Sequence, residues 1–170
     1  MVTRHIVVMP YDARWARDFS EIASEIRAAL GELALDIEHV GSTAVPGLSA
    51  KPIIDIDVVI RDYARFDAVV RALKAIGYRH EGDLGVTGRE AFGYEGKAHL
   101  RKHHLYVCPQ DSPELKRHIA FRDYLRAHPD AAREYGCVKA EGTVLYPHDI
   151  EGYINHKSAF IERVYRTMGL

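Results

Sequence analysis

Apolar residues recur at helical spacing through Trp15, Phe19, Ile22, Ile26, Ala29 and Leu30. This predicts a long amphipathic helix with Asp12 as its cap and Gly31 as its stop. Ahead of it, Ile6 to Val8 forms a short apolar run followed by Pro10. Leu35 to Val40 reads as a strand and Ile53 to Ile60 as a second, more buried one. Helical spacing returns at Phe66, Val69, Val70 and Leu73, behind Asp62 as a cap and ahead of Gly77. Tyr78 to Glu81 reads as a short strand, Gly82 to Gly88 as a glycine-rich loop, and Phe92 with Tyr94 as a hairpin arm. His103 to Cys108 is a further strand, closed by Pro109. Beyond it the pattern is helical. Ser112-Pro113-Glu114 opens a helix with Leu115, Ile119, Tyr124 and Leu125 on its apolar face. His128-Pro129-Asp130 breaks that helix and starts another, expected to end before Gly142. His148-Asp149 begins the last, with Ile150, Tyr153, Ile154, Phe160, Ile161, Val164, Tyr165 and Met168 as its apolar positions, the Tyr and Phe among them mostly core. This order predicts an α+β domain, a small mixed β-sheet backed by helices with a helical C-terminal part.

Composition narrows the function classes. The 170 residues fit one domain, 1–170, without repeats or linker-like stretches. The 47% hydrophobic and 28% charged fractions are those of a globular protein with its own core. A formal net charge of -1 gives no overall pull toward nucleic acid or anionic membrane, so neither is an expected partner. No apolar run is long enough to cross a bilayer and no signal-type start is present, which makes a cytoplasmic location the expectation. Cys108 and Cys137 have no metal-type spacing and read as two buried or half-buried thiols. None of these features sets an oligomeric state.

The chemistry concentrates between Val40 and Ile60, VGSTAVPGLSAKPIIDIDVVI. On a strand, Asp55 and Asp57 share one face while Ile54, Ile56 and Val58 share the other. Two neighbouring carboxylates repel unless a cation joins them. Mg²⁺ suits such an all-oxygen setting and brings substrate phosphates with it. Gly41 and Ser42 stand where a strand turns into a short helix, a place where backbone N–H groups hold phosphate. The competing reading of the two aspartates is a pair of edge-strand charges that block aggregation. His39 and Lys51 flank the segment, and either is placed to meet a phosphate or order the loop. Arg89, Arg101 and Lys102 are weaker choices for closing an anion site. Arg122 and Asp123 read as a helix-surface or inter-element ion pair. His99, His103 and His104 form a dense cluster that reads as solvated loop histidines ahead of a transition-metal site. No Walker loop, Rossmann fingerprint, nucleophile elbow or zincin helix occurs.

A hydrophobic-Gly-Ser, twelve residues, then Asp-hydrophobic-Asp-hydrophobic resembles the signature of the nucleotidyltransferase superfamily that includes DNA polymerase β. The resemblance implies that Gly41, Ser42 and Thr43 approach a triphosphate, that Asp55 and Asp57 bind Mg²⁺, and that a third carboxylate comes from a later strand. A closer resemblance, to the GrpB family, runs almost the whole length. It rests on Tyr11-Asp12 with Trp15 and Phe19, His39-Val40-Gly41-Ser42-Thr43, Val45-Pro46-Gly47-Leu48, Lys51-Pro52-Ile53-Ile54-Asp55, His104-Leu105-Tyr106-Val107 and Phe121 to Arg126, with Tyr146 to Asp149, Tyr153 and Lys157. It implies a nucleotidyltransferase-like fold and names no substrate.

The third-acid position falls on His104 and Tyr106, neither acidic; Glu81, Asp83, Glu90 and Glu95 are the remaining acids to consider. Where that family pattern commonly has His-Leu-His, this chain has His104-Leu105-Tyr106. Two readings follow. In one, Mg²⁺ and a nucleotide or phosphorylated small molecule occupy a pocket at Gly41, Ser42, Thr43, His39, Lys51 and His104, and an unnamed acceptor takes the nucleotidyl group. In the other, the pocket belongs to a non-catalytic binding or accessory module, as the family's occurrence behind dephospho-CoA kinase suggests.

Overall fold

A computed structural model describes residues 5–170. The first helix, α1 (Arg14–Leu30), buries Trp15, Ile22, Ile26 and Leu30 along one stripe. Asp12 lies one residue outside its N-cap, where its carboxylate accepts the Arg14 N–H at 2.9 Å and grips the Arg14 guanidinium. The strands are β1 (Asp36–Val40), β2 (Ile54–Ile60), β3 (Tyr78–Gly82), β4 (Glu90–Tyr94) and β5 (His103–Pro109). They form one sheet in the order β1-β2-β5-β4-β3. Only β2 and β5 run parallel, because α2 (Phe66–Ala75) and the β3–β4 hairpin carry the chain back between them. Asp62 caps a 3₁₀ turn that leads into α2, by accepting the Ala64 N–H at 2.9 Å.

The register decides what each face of the sheet does. Ile54, Ile56, Val58 and Ile60 point, with Leu105 and Val107, into the main core against α1 and α2. Each such side chain contributes about 1.5–3 kcal/mol through burial. The alternate positions, Asp55, Asp57 and Val59, share the opposite face with His104, Tyr106 and Cys108. There Val59 and Cys108 pack on Leu115 of α3 (Pro113–Ala127), whereas Cys137, expected to be at least half-buried, is exposed because its helix turns it to solvent. Ser112 caps α3 by accepting the Leu115 N–H at 3.3 Å.

The helical part ends in α4 (Pro129–Leu145) and α5 (Ile150–Met168). Contrary to the expected stop, α4 runs straight through Gly142 to Leu145. A Cβ at Gly142 would sit 3.0 Å from a ring carbon of Tyr153, so the glycine serves helix–helix approach and not termination. A second core joins Leu125, Tyr135, Phe160 and Val164 with Val45 and Leu48. Tyr135 stacks on Phe160 with centroids 4.8 Å apart. Among the described residues no helix is long and apolar enough to cross a membrane.

Candidate functional site

Strand β1 ends at Val40, and the chain turns at Gly41 (φ 75°) into a 3₁₀ turn, Ser42–Ala44. The positive φ favours glycine. So does the neighbour, because a Cβ there would collide with Asp55 Oδ2. His39 Nε2 and Thr43 Oγ1 are 2.8 Å apart across the turn, and Phe19 stacks on the imidazole at 4.7 Å. Burial pushes His39 down to about 4, which keeps it neutral at physiological pH. His39 orders the turn and does not line the cleft described below.

Asp55 and Asp57 sit on an interior strand, between β1 and β5, so the edge-strand reading does not hold. Each meets a histidine. His104 Nδ1 is 3.0 Å from Asp55 Oδ1, and His118 Nδ1 is 2.6 Å from Asp57 Oδ2. Asp57 is fully buried, and its Oδ1 has no hydrogen-bond partner. Burial alone would lower the His118 pKa; the Asp57 hydrogen bond and charge more than offset this, and it is raised.

His118 belongs to an inward polar stripe on α3 at i, i+4, i+8. From the next turn, Arg122 reaches Glu38 at 2.6 Å and the His39 carbonyl at 3.1 Å. One turn further, Arg126 Nε donates to the Ala44 carbonyl at 2.9 Å. The two arginines thus hold the turn at its entry and its exit.

Opposite the aspartates, β5 presents His104 and Tyr106, and β4 places Ala91 beside Tyr106. No acid occupies these positions. Glu90 pairs with Val107 and therefore lies on the core-side face, where it meets His80 at 2.8 Å. Glu81 lies three strands from β2 and pairs with Arg79. Asp83 caps its own loop at Gly85, and Glu95 is exposed near Arg79.

Above the aspartates a cleft opens in two lobes that share Ser42, Asp55, Arg89, Tyr106 and Lys157. One lobe, about 270 Å³, is walled by Tyr106, His118, Phe121, Tyr135 and Tyr165. The other, about 360 Å³, is lined by Thr43, Lys51, His104, Lys139, Tyr153 and Lys157. Arg89 stacks over Tyr106 at 4.2 Å, so this weaker choice does enter the site. Arg101 and Lys102 do not: Arg101 is bound to Asp18 at 2.8 Å, and both line a wider groove of about 970 Å³ beside α1. That groove is larger but gathers neither the turn nor the acid pair, so size alone is a poor guide here. The histidine cluster also disperses. His99 meets Glu25, His103 is buried between Tyr78 and the Arg101 carbonyl, and His104 faces Asp55. Among the described residues no three His, Cys, Asp or Glu side chains converge as a metal-ligand group. Asp55 and Asp57 offer two carboxylates on one face, one with a free buried oxygen, which fits a cation that completes its shell with water and phosphate oxygens.

Sequence reasoning missed His118, Tyr135 and Lys139. On their helices His118 and Lys139 read as solvent-facing and Tyr135 as core; the available signal, for His118, was its four-residue spacing with Arg122 and Arg126.

The GrpB family model ("GrpB protein") matches residues 5–167, nearly the whole chain. The chain belongs to the GrpB family. Among curated GrpB-family relatives it is 35% identical to UPF0157 protein YqkA of Bacillus subtilis, over 94% of this chain and 46% of that protein. It is 40% identical to UPF0157 protein PA4798 of Pseudomonas aeruginosa, over 94% of this chain and 66% of that one. The chain thus spans about half to two thirds of these first relatives. A 28% identical stretch of a protein named dephospho-CoA kinase from Mycolicibacterium paratuberculosis covers 45% of that protein. The crystal structure of GrpB from Enterococcus faecalis superposes with a TM-score of 0.83 at 35% identity, covering 95% of this chain and 96% of that one. The Cid1 poly(U) polymerase superposes with a TM-score of 0.54 at 13% identity, covering 78% of this chain and 43% of that one. This likeness gives the GrpB chain a nucleotidyltransferase-like fold.

Proposed function

We propose that the cleft binds a nucleotide or a phosphorylated small molecule together with Mg²⁺. The observation that carries this reading is convergence: the Gly41–Ser42 turn, Asp55 and the cations Lys51, Lys139, Lys157 and Arg89 all face one cleft, with Asp57 buried directly behind it on His118. The turn presents backbone N–H groups to phosphate oxygens, and the cations balance their charge. Asp55 and Asp57 would hold the metal, which supplies charge neutralisation at phosphate when bound. Arg122 and Arg126 keep the turn in place, and Tyr106 with Arg89 marks where the two lobes meet. In the enzyme reading, the aromatic lobe admits the acceptor of a nucleotidyl transfer. The absence of an acid at His104, Tyr106 and Ala91 favours the second reading, in which the same ligand is bound without transfer by an accessory module.

Titration calorimetry with ATP, CTP, GTP, UTP and coenzyme A precursors, with and without Mg²⁺, tests the proposal. Mg²⁺-dependent binding of one of them, lost in Asp55→Asn/Asp57→Asn, is the expected result. No binding by the unaltered chain would overturn it for these ligands. Pyrophosphate release from the bound nucleotide then separates transfer from binding alone.

A further inference from the structure

Three lysines from three separate places meet in the second lobe. Lys51 precedes β2, Lys139 lies on α4 and Lys157 on α5. Lys139 is 2% exposed, its ammonium donating to the Ser49 carbonyl and lying 4.6 Å from the Tyr135 ring centroid. Lys51 and Lys157 both approach the buried Tyr153 ring, at 5.5 and 5.2 Å. Among the described residues, no carboxylate lies within ion-pairing distance of any of the three.

This arrangement is costly as it stands. Buried charges are normally paired, and like charges held together in a shielded place repel. Ring faces and one carbonyl supply only partial negative charge. The protein responds where it can: burial and the neighbouring ammonium groups push Lys139 down to about 7, and burial followed by Lys51 lowers Lys157. What restores balance is an anion of several charges, shaped to touch three ammonium groups at once. Asp57 does not line this lobe, and the one carboxylate that does, Asp55, faces four cations there, Lys51, Arg89, Lys139 and Lys157, so the lobe keeps an excess of positive charge for an anion without a metal on the acid pair. Nor does the anion need a ring, because most of the aromatic wall belongs to the other lobe.

We propose that Lys51, Lys139 and Lys157 form a metal-independent site for the terminal phosphates of a polyphosphate, at which inorganic pyrophosphate or tripolyphosphate suffices as ligand. The inference deepens the phosphate reading of the cleft and rests on it.

The test is titration calorimetry of the full chain with tripolyphosphate in EDTA. The unaltered chain is expected to bind it without any metal. Lys139→Met and Lys157→Met are each expected to bind at least tenfold more weakly. Thermal melts without ligand check folding; should Lys139→Met fail to fold, Lys157→Met, at a half-buried position, carries the test. No tripolyphosphate binding by the unaltered chain, or unchanged affinity in the lysine variants, overturns the site. Mg²⁺-dependent nucleotide binding without any tripolyphosphate binding would sink this inference and leave the proposed function standing. Tripolyphosphate binding in EDTA without any nucleotide binding would do the reverse.

Discussion

Gly41 and Gly47 both have positive φ, 75° and 83°, yet they are not equivalent. A Cβ at Gly47 meets nothing within 4 Å, whereas one at Gly41 runs into the Asp55 carboxylate. Gly47→Ala is therefore expected to cost only the backbone penalty, about 1–2 kcal/mol. Gly41→Ala carries the same penalty and also displaces Asp55. Urea denaturation should place Gly41→Ala clearly below Gly47→Ala, and nucleotide titration should find binding lost in Gly41→Ala alone; equal stabilities would refute the role of close approach. At this scale the sequence was informative for a simple reason. A strand repeats every two residues, so Asp55 and Asp57 announce their shared face, and a Gly-Ser pair after a strand announces a turn. Lys139 gives no such sign, since a lysine on a helix ordinarily faces water.

Helix α3 reads poorly from sequence because its inward face is partly polar. Leu115 and Leu125 are buried as their spacing implies, but Arg122 is buried with them. The expectation of an ion pair at Arg122 and Asp123 holds, with Glu38 on β1 as the further partner. Hydrogen bonds of charged groups typically contribute about 1.5–3 kcal/mol. Arg122→Met and Arg126→Met should each lose stability of that order. Because both hold one turn, the double variant should lose less than the sum. Urea unfolding of the four proteins measures this coupling; strict additivity would mean that the two arginines act on separate structures. Strand boundaries fared better because register leaves little choice: a one-residue slip of β2 would bury Asp55 in the core and expose Ile56.

At the scale of the whole molecule, the fold carries a built-in penalty at Lys139. Its pKa is about 7 when folded and ordinary, 10.5, when unfolded, so between these values the unfolded chain binds more protons. Stability contributed at this position therefore rises with pH across that window, and the penalty is fully present below about 7. Lys139→Met should be more stable than the unaltered chain at pH 6.5, with the difference fading toward pH 10. Thermal melts across that range decide it; a variant equally destabilised at every pH would refute the account. The class of fold was legible throughout, since strand and helix periods alternate clearly along the chain. The separate second core was not, because it gathers Val45 and Phe160 from segments far apart in sequence. That organisation has a consequence for motion. The sheet side supplies Ser42, Asp55 and Arg89, while the helical side supplies Tyr135, Lys139 and Lys157. An occupant of the cleft would therefore rivet the sheet side to the helical side. Its arrival should register at a distance, as slower amide exchange along α4 and α5; an anion that merely adhered outside would leave that exchange as it was.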